Sequence, residues 1–217
     1  MSASTSGSLT GLRVVEISTS VAGPFVGQIL GDLGAEVIKV ERIGSGDDTR
    51  AWAPPDWDGK SIAFLHLNRN KRSIELDYKH PRGKEILTEL IVGADVLVQN
   101  LRPGALAKAG FTPEVLREVN PRLVYCDMTG FGRTGPKAED PAYDPLLQAY
   151  TGIIDMMSTG DGPPRRVPLS VLDKGTAMWA VIGILDALRR RDRTGPVRGP
   201  TSVCPCWRRR SRGCTRT

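Results

Sequence analysis

Histidine occurs only twice in these 217 residues, as His66 and His80. They stand alone, so no Ser/His/Asp triad and no histidine-based metal site can be assembled from spacing. Cysteine is almost as scarce, with Cys126 in the body and Cys204, Cys206 and Cys214 near the end. Cys204 and Cys206 flank a proline with no histidine nearby and no second pair at zinc spacing, so no metal site is expected. A single body cysteine in an apolar strand reads as a small buried hydrophobe in a reducing, cytoplasmic protein. Long apolar runs are missing too. Stretches such as Met178–Leu185 fall far short of the ~20 residues that span a bilayer. The opening Met1–Thr10 has neither a basic region nor an apolar core, which excludes a secretory signal and leaves a disordered lead-in.

The excess of positive charge is local. The chain carries a net +6, but Arg189–Thr217 holds ten Arg and one Asp, leaving the first 188 residues at −3. A nucleic-acid partner therefore has no electrostatic support in the body. After Gly195 the text has no apolar period and becomes rich in Arg, Pro and Cys. Residues 196–217 read as a disordered basic tail, of the kind that GC-rich coding sequence yields in a shifted frame.

What the body does have is alternation. Leu12–Ser18 is short, β-branched and bounded by Gly11, as a buried strand is. Gly23-Pro24 opens a segment with Phe25, Ile29, Leu30 and Leu33 at helical spacing, ended by Gly34. Glu36–Arg42 is the next strand. Strands over Ser73–Asp77, Asp95–Asn100 and Leu123–Phe131 alternate with helices over Pro81–Ala94 and Thr112–Asn120. Loops occupy 132–142 and 158–168, with a short helix over Asp144–Gly152 between them. The longest helix runs from Leu172 to about Arg191, with Met178, Val181, Ile182, Leu185 and Leu188 as its apolar stripe. This order specifies an α/β fold with a mostly parallel, Rossmann-like sheet and flanking helices.

Three places carry chemistry. In the first strand-to-helix turn, Gly23 and Gly27 are present but Pro24 and Phe25 do not fit a dinucleotide fingerprint. That turn is either a plain helix start or the place where a ligand lies over the strand's carboxyl end. Asn68–Ser73, N-R-N-K-R-S, is either a solvated loop or a phosphate-holding one, and Arg42 has the same two readings. Asp173 stands at the start of the longest helix. It is either an N-cap or a carboxylate kept ionised by the helix dipole, which suits a nucleophile.

Beyond pattern, LTGLRVVEIS, VAGPFVGQILGDLGAEVIKVER and GSGDDTRAW resemble the N-terminal signature of the family III CoA-transferases, a group that includes α-methylacyl-CoA racemase. NRNKRSIELD, NLRPGAL, GFTPEVLREVNPRLVYCDMTGFGRTGP, AYDPLLQAYTG and LDKGTAMWAVIGILDALRRRDRTG follow in that family's order, so the resemblance covers about 9–195. It divides the chain into the lead-in 1–10, a transferase N-terminal region 11–195 and the tail 196–217. Family members are about twice as long, which implies a large domain truncated before the rest of the small domain. The expected glycine-glutamine continuation after Thr194 is absent.

The resemblance implies that Asp173 is the nucleophile and that Val21 and Ala22 lie against CoA near the thioester. It further implies contacts to coenzyme A from Arg42, from Leu76, Asp77, Tyr78 and Lys79, from Asn100, Leu101 and Arg102, and from Lys108, with Tyr143 lining the acyl site. The implied activity is acyl-CoA:carboxylate CoA transfer through an aspartyl-acyl anhydride, with a dicarboxylate or short-chain acyl-CoA. Coenzyme A is then a substrate, no permanent cofactor is needed, and the partners are a carboxylic acid acceptor and a second, interlocked copy of the chain. Val21 stands where formyl-CoA transferases place Gln. Tyr143 stands where the racemases place a His base, and a phenol of pKa near 10 is a poor substitute. Racemase-like chemistry and an inert partial chain are the alternatives.

Overall fold

The computed structural model describes residues 7–158, 162–195 and 201–203. Its centre is a six-stranded, wholly parallel sheet. In chain order the strands are β1 (Arg13–Ile17), β2 (Glu36–Glu41), β5 (Lys71–Glu75), β6 (Val96–Gln99), β7 (Val124–Met128) and β8 (Thr201–Val203). Across the sheet they run β5-β2-β1-β6-β7-β8, which is a doubly wound order. A two-stranded hairpin, β3 (Asp56–Trp57) with β4 (Lys60–Ser61), stands apart from it.

The pleat divides the strand side chains between two cores. Val14, Val96, Val98, Val124 and Cys126 point to one face, where α1 (Ala22–Asp32) and α8 (Val171–Thr194) cover them. Val15, Ile17, Leu97 and Tyr125 point to the other, beneath α3 (Pro81–Val92), α4 (Ala105–Lys108) and α5 (Pro113–Val119). Burial on both faces explains why these strands read as continuous apolar runs rather than as alternation. The α5 start is capped as its sequence requires, with the Thr112 hydroxyl accepting from the Val115 amide at 3.3 Å. Cys126 is fully buried, and burial pushes its thiol up to about 12.

Several expectations need correction. Residues 7–10 are part of the fold, since the Leu9 amide donates to the Leu33 carbonyl at 2.9 Å and its side chain joins the first core. Residues 1–6 lie outside the described residues. The third strand of the main sheet runs over 71–75 rather than 73–77. It is preceded by α2 (Ile62–Asn68), which, like α4, has too few turns to show an apolar period. The buried face of α8 is Ala177, Ala180, Val181, Ile184, Ala187 and Leu188, while Met178 and Ile182 are exposed. Small alanines decide this face because α1 packs closely against α8, and alanine gives little signal in a hydrophobic stripe. The tail reading fails for Thr201–Val203, which extend the sheet beside β7; the rest of 196–217 lies outside the described residues.

A charged cluster lies inside the sheet end. Glu16 Oε1 meets Lys39 Nζ at 2.8 Å, Glu16 Oε2 meets Lys71 Nζ at 2.8 Å, and Lys39 Nζ meets Asp47 Oδ2 at 2.8 Å. All four side chains are shielded from solvent, and their charges cancel. Burial opposes ionisation of Glu16, yet the two lysine charges outweigh it and hold the carboxyl below its ordinary range. Lys71, desolvated and next to Lys39, is lowered to about 8 in spite of Glu16.

This cluster explains Gly27. A Cβ there would stand 1.8 Å from Glu16 Oε2 and 3.2 Å from the Lys71 side chain, so α1 can pass over the ion pair only with no side chain at that turn. Gly27→Ala is expected to destabilise the protein by about 1–3 kcal/mol through overpacking. Gly175 in α8 has open space around it, and Gly175→Ala is expected to stabilise by about 0.5–1 kcal/mol through helix propensity. Urea unfolding of both variants checks the pair; equal shifts of the same sign would contradict the packing account.

Candidate active site

The switch point of the sheet lies between β1 and β6, where the connections leave in opposite directions and a crevice opens at the strand carboxyl ends. Asn100, just past β6, spans this crevice. Its side-chain oxygen accepts from the Thr19 amide at 2.9 Å, and its amide nitrogen donates to the Thr19 carbonyl at 2.9 Å. Ser20 adopts a positive φ of 67°, uncommon for a residue with a side chain, and its amide donates to Asp47 Oδ1 at 3.1 Å. Asp47 also accepts from the Thr49 amide and hydroxyl, at 2.8 and 2.7 Å. The buried ion cluster therefore fixes the turn from which α1 starts. Gly23 permits the close approach, because a Cβ there would stand 2.4 Å from the Ser18 Cβ.

A cleft of about 610 Å³ occupies the crevice. It brings together Val21, Ala22, Arg42, Tyr78, Lys79, Asn100, Leu101, Arg102, Tyr143 and Asp173, ten of the expected site residues. Leu76 instead packs in the second core, and Leu76, Asp77 and Lys108 are not among the cleft's lining residues. Sequence adjacency to Tyr78 and Lys79 could not reveal this, because neighbouring positions leaving a strand point in different directions. Asp77 turns back on its own loop, accepting from the Lys79 amide at 3.0 Å. Arg42 is paired with Asp48 and donates to the Gly46 carbonyl at 3.2 Å. Lys79 and Arg102 have no ion-pair partner among the described residues.

The phosphate option for 68–73 is overturned. Arg69 pairs with Asp32 at 2.5 Å, Asn70 donates to Asp32 at 2.6 Å, Arg72 pairs with Glu36 at 3.0 Å, and Lys71 lies in the buried cluster. Every cation of that run is already paired, Arg69 with the end of α1, Lys71 with β1 and Arg72 with β2.

Asp173 lies in the first turn of α8, half-buried, on the wall of the cleft. It is not the N-cap. Ser170 stands at that position without a side-chain cap bond. The capping role falls to Asp144, whose Oδ2 accepts from the Leu172 amide at 2.7 Å and from the Asp173 amide at 3.1 Å. Gln148 donates to Asp144 Oδ1 and accepts from the Val167 amide at 2.8 Å, which ties the 167–170 segment to α6 (Asp144–Tyr150). Asp144 is the functional residue that sequence reasoning missed. The signal was an Asp beside Tyr143 opening a Pro-started helix, but a cap 28 residues distant in sequence has no local signature.

The expectation that the helix dipole keeps Asp173 fully ionised is also corrected. Burial raises its pKa, the neighbouring Asp144 charge raises it further, and the carboxyl is pushed up to about 7. The dipole's donors at this end are already taken by Asp144.

A match to the model of CoA-transferase family III extends over residues 9–199. The chain belongs to CoA-transferase family III. It is 43% identical over 187 residues to succinyl-CoA:glutarate CoA-transferase of Mus musculus, covering 86% of this chain and 43% of the relative. It is 46% identical over 194 residues to acetyl-CoA:oxalate CoA-transferase of Acetobacter aceti, covering 87% of this chain and 49% of the relative. The crystal structure of a CAIB/BAIF family protein from Brucella suis superposes with a TM-score of 0.84 at 42% identity, over 90% of this chain and 53% of that one. The chain thus spans about half the length of the relatives it matches. Among the described residues no helix is long and apolar enough to cross a membrane.

A carboxyl with a folded pKa near 7 and an ordinary unfolded value near 3.8 gives up protons on unfolding between those limits. Its ionisation therefore destabilises the fold increasingly as pH rises from about 4 to 7, and fully above 7. Asp173→Asn is expected to melt higher than the parent at pH 8, with the advantage gone by pH 4. Thermal melts across that range check it; an advantage independent of pH would show that Asp173 titrates normally.

Proposed function

We propose that this chain carries the nucleophile half of an acyl-CoA:carboxylate CoA-transferase that works through an aspartyl-acyl anhydride. The observation behind this reading is Asp173, a carboxyl raised to about 7 at the first turn of α8, facing a cleft with the cations Arg42, Lys79 and Arg102. A carboxylate of raised pKa is a stronger nucleophile than an ordinary one and is substantially ionised at neutral pH. Relatives named as succinyl-CoA:glutarate and acetyl-CoA:oxalate CoA-transferases support a small-acid acceptor.

In this mechanism an Asp173 oxygen attacks the thioester carbonyl, the carbon–sulfur bond breaks, and CoA leaves as thiolate. The acceptor carboxylate then attacks the Asp173 carbonyl and displaces the donor acid, forming a second anhydride. The thiolate attacks the acceptor's carbonyl, forms the new thioester and frees Asp173 as carboxylate. Anhydride and thioester have comparable reactivity, so no external activation is required. The first-turn amides of α1 at Val21 and Ala22 supply backbone donors for the developing oxyanion, since a helix start leaves such groups without intrahelical partners. Lys79 and Arg102 meet the phosphates of CoA, with Arg42 and Asn100 at the same cleft. Tyr143, exposed on the other wall, lines the acyl end. The reading includes a homodimer, and the exposed Met178, Trp179 and Ile182 of α8 are apolar surface for such a partner to cover.

Asp173→Ala is expected to lower transfer by at least a hundredfold while CoA still binds. Hydroxylamine trapping after incubation with labelled acyl-CoA should mark the Asp173 peptide of the parent and not of the variant. Retention of ordinary turnover by the variant would remove Asp173 from the role. Lys79→Ala is expected to raise the dissociation constant for CoA about three- to tenfold with little effect on the chemical step. Unchanged CoA affinity would contradict the placement of the phosphates.

The half-length coverage favours a second reading, that the 217-residue chain alone binds CoA without turning over. A CoA-exchange assay on the chain by itself separates the two.

A further inference from the structure

Asp173 lies where two cavities meet. One is the cleft holding Lys79 and Arg102. The other, of about 380 Å³, shares only Ser20, Val21, Tyr143 and Asp173 with the first among the described residues. Its walls include Trp52, Pro145, Pro168 and Leu169, and its single cation among the described residues is Arg166. Two of the other polar groups there, Asp144 and Gln148, are already engaged. Asp144 accepts from Gln148 and from two α8 amides, and Gln148 spends both ends of its amide on Asp144 and the 167–169 backbone. Arg166 differs, because it has no ion pair or side-chain hydrogen bond among the described residues. The backbone beside it is held, with the Val167 amide donating to Gln148 Oε1 at 2.8 Å. A free guanidinium on a pinned segment, in an otherwise mostly apolar hollow beside the nucleophile, is complementary to an acyl chain that ends in a carboxylate.

We propose that Arg166 is the specificity-determining residue that pairs with the distal carboxylate of a dicarboxylic acyl group whose other end reacts at Asp173. The proposal rests on the transferase reading above and assigns a residue that selects a dicarboxylic over a short-chain monocarboxylic acyl group. A planar guanidinium takes a carboxylate bidentately, and an acyl chain ending in methyl would leave that charge unmatched.

The test uses the 217-residue chain in an Asp173→Asn background, so that binding is read without acylation. Calorimetry compares CoA, butyryl-CoA and succinyl-CoA, the two thioesters differing in a terminal methyl against a terminal carboxylate. Succinyl-CoA is expected to bind about tenfold tighter than butyryl-CoA, as one charged hydrogen-bonded pair gives. Adding Arg166→Gln should bring the two within about twofold while leaving CoA and butyryl-CoA affinities unchanged. A preference for succinyl-CoA that survives Arg166→Gln, or no preference before it, overturns the role of Arg166 and leaves the transferase reading standing. Equal weakening of all three ligands by Arg166→Gln also overturns it, as the mark of a structural residue. Failure of the chain to bind CoA at all overturns both.

Discussion

The buried contact between Glu16 and the two lysines Lys39 and Lys71 is the constraint on which the site depends. Four ionised side chains inside a protein are costly, and removing one partner would leave an uncompensated charge. They persist here because each also ties a different segment to the sheet end. Lys39 donates to the Ser18 carbonyl at 3.0 Å, Lys71 to the Pro24 carbonyl at 2.8 Å, and Asp47 holds the Ser20 amide. The turn from β1 into α1 is therefore held from three sides by charge rather than by apolar packing. That turn carries Ser20, Val21 and Ala22 into the lining of the cleft.

A second constraint comes from the far end of the chain. α8 crosses beneath the sheet and must end in register with it. Arg191, almost fully buried, pairs with Asp95 at 2.9 Å and donates to the Arg122 carbonyl at 3.3 Å, which fixes the helix against the starts of β6 and β7. At the other end Asp144 caps it. With both ends held, the first turn of α8 has little freedom, and Asp173 is placed against the crevice with a carboxylate neighbour that raises its pKa. The arrangement couples position and protonation, since the residue that caps the helix is also a charge that, with burial, makes the Asp173 carboxyl more basic.

Much of the fold was legible along the chain. β1, β2, β6 and β7 are buried on both faces and so read as short apolar runs, and α3 and α5 announce themselves with a proline at the first turn and a stop soon after. α2, α4 and the β3–β4 hairpin were missed because they are too short to carry a period. β5 was misplaced because its inner contacts are ionic, and a lysine in a strand looks like a loop until its partner is known. In the expected apolar stripe of α8, Val181, Leu185 and Leu188 lie on the packed side but Met178 and Ile182 do not, since close helix packing there is built from alanines.

The sequence by itself determined the alternation of strands and helices, the Gly-Pro start of α1, and the presence of an aspartate at the head of the longest helix; the motifs supplied the family. Those features are local, set by propensity and spacing within a few residues. Only the tertiary structure decided which charges are spent and which are free. Arg69, Lys71 and Arg72 resemble a phosphate loop in sequence but are consumed by Asp32, Glu16 and Glu36, whereas Lys79, Arg102 and Arg166 remain available at two cavities. The same holds for Asp173, whose raised pKa comes from burial and from Asp144. The reason is that an ionised group's behaviour depends on its distance to other charges and to water, and the chain brings those together from positions tens of residues apart.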